Sequence, residues 1–266
     1  MGNEDLGKHY QEIGDLPRAI EAFTRMRQDI SIARHIVDVA KHVIEVAIEQ
    51  RNWMAVSSNI QKVRQSGSVM EEDKSVEPFL TAAEGLFYMD SGAYYDAAIA
   101  FLQTDSGMGV SCNTIISPND VAIYGGLCAL ATMERNELHS KVLENSNFRT
   151  YLELEPHIRR AITFFVNSRY SACLGILESY RADYLLDIHL HKHIDEIYHL
   201  VRSKSIVQYF IPFSCVTLDS LNQAFALPGK TIEKELVLMI QRKELDARID
   251  TQNRVRIHSS FSQNHD

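Results

Sequence analysis

Six residues near the start of the chain, Gly7, Tyr10, Gly14, Ala19, Ala22 and Phe23, recur 78 positions later as Gly85, Tyr88, Gly92, Ala97, Ala100 and Phe101. Six identities at one offset mark a repeated supersecondary unit, which no single compact core requires. The spacing fits a pair of antiparallel helices. A small residue and an aromatic lie on the first helix, a glycine ends it where positive φ is needed, and Ala and Phe follow on the second. Small residues let the two helices approach closely, and the aromatics fill the gap to the next pair.

Between these copies, Asn52-Trp53 followed by Val56 and Ile60 reads as a degenerate middle repeat. A further echo at an offset of 76 puts Phe164, Tyr170, Cys173 and Leu177 where Tyr88, Tyr94, Ala97 and Phe101 stand. The expected fold is therefore mainly α, a right-handed stack of tetratricopeptide-like helical pairs. A loop at Thr104–Ile116 interrupts it. Ser117-Pro118-Asn119-Asp120 then starts the next helix, with a Ser N-cap, Pro at the first helical position and an acid in the first turn.

The last quarter changes character. Arg202–Phe210 reads as a helix, Cys215–Thr217 as a short strand, Leu218–Phe225 and Thr231–Arg242 as helices, and Ala247–Asp250 and Arg254–His258 as strands joined by the polar turn Thr251-Gln252-Asn253. Val255 and Ile257 alternate with Arg254 and Arg256, as a half-buried strand requires. That order is a winged helix, and no Pro- or Ser-rich linker precedes it. The expected partition is 1–115 for the helical repeats, 116–201 for further helices, 202–258 for the winged helix and 259–266 for a polar tail.

The net charge of −8 is uneven: residues 203–258 carry eight Lys/Arg against six Asp/Glu, while the residues before them are acidic. Without a block of like charge, such a chain is a poor binder of nucleic acid or membrane surfaces. Cys112, Cys128, Cys173 and Cys215 are scattered, with no C-x-x-C pair, and read as small apolar residues of a reducing compartment. The uncharged run Val121–Met133 is too short to span a bilayer and reads as a buried helix. The N-terminus lacks a signal-peptide pattern, and the expected location is cytoplasm and nucleus.

Three motifs invite chemistry and fail. Gly229-Lys230-Thr231 ends like a phosphate loop, but position 224, where the first glycine belongs, is Ala224. His189, His191 and His193 suggest a metal site; on a helix only His189 and His193 would share a face, so solvated helix histidines are expected. No arrangement of Ser, Cys and His marks a nucleophile. The chain is expected to carry no catalytic residue, no cofactor and no metal.

The remaining candidates are surfaces. Ile232, Leu236, Met239 and Ile240 form the core face of the helix Thr231–Arg242. The opposite face holds Lys234, Val237, Leu238 and Gln241, with too few Arg, Lys or Asn to read a DNA groove. Such a helix is expected to wedge against the rest of the chain, or else against a partner protein. The strand Arg254-Val255-Arg256-Ile257 is expected to leave an unpaired edge for strand addition by a sister subunit, with proline at Val255 blocking the partner while the chain stays folded.

Helical repeats ending in Leu221-x-x-Ala224-Phe225, Glu233-x-x-Leu236-x-x-Met239-Ile240 and Asp246-Ala247-Arg248-Ile249-Asp250 resemble the PCI-domain family of proteasome lid, signalosome and initiation-factor subunits. Ser117–Ala131, Phe148–Pro156, Ser168-Arg169-Tyr170 and Ile206–Phe210 narrow the resemblance to the signalosome branch. It implies a non-catalytic scaffold subunit. Its partners would be other PCI-domain subunits and, through the complex, cullin-RING ubiquitin ligases, from which the complex removes a ubiquitin-like modifier. Family members usually extend before the repeats and continue past the winged helix into a long helix, where here only Ser259–Asp266 remains. The alternatives are a proteasome lid subunit and a nucleic-acid-binding PCI adaptor of mRNA export or translation.

Overall fold

A computed structural model describes residues 2–26, 33–65, 76–105, 113–225, 231–249 and 254–257. The chain forms two compact units, one comprising Met1–Ala129 with Ser140–Pro156, the other Leu130–His139 with His157–Asp266.

The first unit opens with three helix pairs. These are α1 (Asn3–Glu12) with α2 (Leu16–Met26), α3 (Ala33–Glu49) with α4 (Trp53–Gln65), and α5 (Val76–Asp90) with α6 (Tyr94–Gln103). The repeated residues sit where the helix-pair reading requires. A Cβ built on Gly7 would fall 2.6 Å from Cε1 of Phe23, and one on Gly85 would fall 2.5 Å from Cε1 of Phe101. Only glycine admits these rings, and both phenylalanines are fully buried. Gly14 and Gly92 both adopt φ +78°.

The same terminating turn recurs without glycine. Arg51, Ser168 and Lys243 have φ of 56°, 60° and 60°. At each site the following residue's N–H reaches back five positions, as in Asp15 to Tyr10, Asn52 to Ala47, Ala93 to Tyr88, Arg169 to Phe164 and Glu244 to Met239. This Schellman geometry satisfies carbonyls that the helix end would otherwise leave bare. It places the middle pair and the fourth echo in the repeat series on backbone grounds, with Val56, Ile60, Cys173 and Leu177 buried as expected.

Helix α7 (Pro118–Thr132) starts as its sequence dictates: Ser117 Oγ accepts from the Asp120 N–H at 3.2 Å, and Asp120 Oδ2 accepts from the Ser117 N–H at 3.1 Å. Its Gly125 meets Phe101 and Phe148 at contact distances no larger residue could hold. The chain then passes through the short α8 (Arg135–Glu137), a π-helical turn (Leu138–Leu143) and α9 (Ser146–Leu154). Asn145 caps α9 by accepting from the N–H groups of Asn147 and Phe148.

The second unit carries α10 (Pro156–Val166), α11 (Tyr170–Leu185), α12 (Ile194–Phe210), β1 (Cys215–Thr217), α13 (Leu218–Phe225), α14 (Glu233–Gln241), β2 (Ala247–Ile249) and β3 (Arg254–Ile257). The helix expected over Arg202–Phe210 is the second half of the 17-residue α12. The winged-helix order is as expected. The strands form one antiparallel sheet in the order β1-β3-β2, with Val255 opposite both Val216 and Ile249. Thus β3 is the central strand, and the edge-strand expectation for Arg254-Val255-Arg256-Ile257 is overturned. Both sides of its backbone are hydrogen-bonded within the chain, and Val255 is fully buried. Residues 226–230 and 250–253, which include Gly229, Lys230 and the expected turn Thr251-Gln252-Asn253, lie outside the described residues, as does most of the expected loop Thr104–Ile116.

Candidate interaction site

Helix α14 is built to face two ways. Its start is set by the side chain of Asn222, whose Oδ1 accepts from the Ile232 N–H at 2.9 Å, and by Glu233 and Glu235 in the first turn, where acids suit the helix dipole. Its end is the left-handed turn at Lys243. Ile232, Leu236 and Met239 are buried and Ile240 is half-buried, as the periodicity predicts.

On the other side, Lys234, Val237, Leu238 and Gln241 all face outward. Val237 is 40% and Leu238 49% exposed, so the expected packing of these residues against the rest of the chain does not occur. The physical reason lies in what α14 leans on. Leu236 and Met239 already consume its contact with the core, and no described element covers the opposite stripe. Two adjacent aliphatic side chains in water, flanked by one lysine and one glutamine, make a small apolar patch with a polar rim. Its neighbours on α14 offer too little positive charge to hold a phosphate backbone.

The patch is held rigidly. Arg202 on α12 donates from Nε to Glu235 Oε1 at 2.6 Å and from Nη2 to Glu235 Oε2 at 2.8 Å. The same Nη2 reaches the Phe225 carbonyl at 2.6 Å. One partly buried guanidinium thereby joins α12, the end of α13 and the first turn of α14 in a forked geometry that lysine could not reproduce. Sequence reasoning missed this clamp. Arg202 and Glu235 are 33 residues apart, and nothing in either local pattern signals a partner.

The other sequence candidates part company with it. Val255 belongs to the sheet core, and the backbones of Arg254, Arg256 and Ile257 are paired in the ladder. His189, His191 and His193 are not on a helix. Asp187 Oδ1 accepts from the N–H groups of His189 and Leu190 at 2.8 and 2.7 Å, turning the chain before α12 begins at Ile194. His189 and His193 are buried and His191 is exposed, so the expectation of solvated helix histidines is corrected. Among the described residues no group of three His, Cys, Asp or Glu is placed to hold a metal ion. Cys128 and Cys173 are buried as expected, and burial pushes both thiols up to about 12, far from a nucleophilic thiolate. Cys215 is exposed on β1.

A family model described as 26S proteasome subunit RPN7 matches residues 1–141, and one described as PCI domain matches residues 177–258. The chain is similar to COP9 signalosome complex subunit 1 of Emericella nidulans, 48% identical over 266 residues that cover 96% of this chain and 53% of that protein. It is 39% identical over 255 residues to the subunit 1 protein of Arabidopsis thaliana, covering 96% of this chain and 57% of that protein. Against 26S proteasome regulatory subunit RPN7 of Saccharomyces cerevisiae the identity is 25% over 158 residues, 58% of this chain and 37% of the other. The chain thus spans little more than half the length of the signalosome relatives it matches.

Proposed function

The chain belongs to the family described as 26S proteasome subunit RPN7 and carries a PCI domain, and from that premise we propose that it is a non-catalytic scaffold subunit of a COP9 signalosome complex. The observation that carries the reading is the similarity to signalosome subunit 1 across 96% of the chain, set beside a much shorter and weaker match to the proteasome subunit. In this reading the helical pairs and the winged helix bind other PCI-domain subunits. Any part in removing a ubiquitin-like modifier from cullin-RING ligases runs through the assembled complex, in the cytoplasm and nucleus.

The outward face of α14 supplies a physical route for assembly. Val237 and Leu238 keep 40% and 49% of their surface in water, so covering them with an apolar partner surface would contribute about 1 kcal/mol each. Such a patch suits a permanent subunit contact better than a groove reader of nucleic acid, which needs Arg, Lys or Asn at these positions.

Affinity capture of the tagged chain from cell extract tests the assignment. Signalosome subunits should co-elute; proteasome lid subunits, or RNA released by moderate salt, would overturn it. A chain carrying Val237→Asp and Leu238→Asp should fold normally and lose sister subunits. Undiminished co-elution would remove α14 from the interface while leaving the complex assignment standing. Hydrolysis of a modified cullin by the purified chain alone would overturn the non-catalytic reading.

A further inference from the structure

A second surface of the winged-helix unit has a different chemistry. Between α8, the turn at Ser168 and the end of α12 lies an open groove of about 830 Å³, within the size range of ligand-binding clefts. Its apolar wall is the segment after α12, where Ile211 is 68% and Phe213 46% exposed. Tyr209 backs that wall, its ring 5.7 Å from Phe213 and 5.3 Å from Phe225.

Arg135 lines the same groove. Its Nη2 donates to the hydroxyl of the buried Tyr170, a neutral acceptor. Its Nε is buried and has no hydrogen-bond partner among the described residues. Glu134 lines the groove beside it, and its Oε2 accepts from Gln208 Nε2 at 3.2 Å. The guanidinium lines the groove with its Nε occluded and its Nη2 on a phenol, which leaves Nη1 as the donor open to a ligand. Water compensates such a charge less completely than a carboxylate, which accepts two parallel N–H bonds.

We propose that this groove binds an extended peptide segment of another protein in which a carboxylate side chain neighbours a large apolar one. The acid pairs with Arg135 while the apolar side chain rests on Ile211 and Phe213. The geometry selects this class because cation and exposed apolar wall face one cleft. A purely apolar segment would leave the guanidinium unpaired, and a purely acidic one would leave the wall wet. This surface is independent of the α14 face and of the complex to which the chain belongs.

The test is calorimetric titration of the full chain with a blocked heptapeptide carrying one aspartate between a leucine and a phenylalanine, and with its asparagine counterpart. The aspartate peptide should bind at least ~10-fold more tightly, and Arg135→Gln should erase the difference. Phe213→Ser should weaken both peptides. On the unsubstituted chain, the methyl resonances of Ile211 should shift on adding the aspartate peptide, a readout that does not depend on any variant folding. Equal binding of the two peptides, no binding at millimolar concentration, or shifts confined to residues away from Ile211 would each overturn the proposal.

Discussion

The ring of Phe101 occupies the space in which Gly85 would carry a side chain: a Cβ there would lie 2.5 Å from Cε1, 2.7 Å from Cζ and 2.8 Å from Cδ1. Phe101 is itself fully buried and has the Tyr124 ring 5.9 Å away, so it has little room to retreat. Gly85→Ala should therefore destabilise the first unit by about 1–3 kcal/mol through overpacking, despite alanine's better helix propensity. Urea unfolding of the variant checks this, and an increase in stability would contradict the packing.

Lys243 holds a left-handed conformation that costs a non-glycine residue about 1–2 kcal/mol. Lys243→Gly should raise stability slightly, by about 0.5–1 kcal/mol, since glycine's added chain entropy offsets part of the gain. A β-branched residue at the same position should lower it. Paired thermal melts of the glycine and valine variants would read both signs.

Because β3 is paired on both sides, Val255→Pro removes a ladder donor from the middle of the sheet and disturbs a fully buried position. The winged helix should unfold, at a cost of about 3 kcal/mol or more. Loss of a cooperative transition for the second unit is the expected result. A folded chain that merely loses partners would restore the edge-strand reading.

Lys204 donates from Nζ to the carbonyls of Leu130 and, at 2.7 Å, Met133, capping the C-terminal end of α7, and lies 4.8 Å from the Phe165 ring centroid. Burial pushes its pKa down to about 8 from the ordinary 10.5. Between those values the unfolded chain holds more protons than the folded one, so this group's contribution to stability rises with pH across the window and is flat below it. The buried thiols of Cys128 and Cys173, pushed up to about 12, act in the opposite sense above pH 9. The difference in stability between the parent chain and Lys204→Met, followed from pH 7 to 10, isolates the lysine. The parent's stability relative to Lys204→Met should rise with pH, and a constant difference would refute the assignment.

Where the sequence reading succeeded, the signal was local. Thr217 and Ser220 illustrate it: the Ser220 N–H donates to Thr217 Oγ1 at 3.2 Å, a cap encoded within four residues, and α13 runs over Leu218–Phe225 as expected. The repeated glycines and phenylalanines were legible because the repeat printed them twice, but that each ring packs on the glycine of its own helix pair came from the structure. Where the reading failed, a short-range competitor or a distant partner decided. Asp187 turned the histidine segment away from a helix by accepting two backbone N–H groups. Val237 and Leu238 look like core residues by composition, but whether a neighbour covers them is a property of the whole fold.

The amino-acid order alone determined the helical pairs, the winged-helix order of elements and the buried face of α14, since each rests on periodicity or on contacts a few residues apart. Only the tertiary structure decided that β3 inserts between β1 and β2, that Arg202 clamps Glu235, and that Arg135 lines one groove with Ile211 and Phe213. Strand order and long-range pairing are chosen by the free energy of the assembled chain, in which residues far apart in sequence compete for the same neighbours, and no local pattern records the winner.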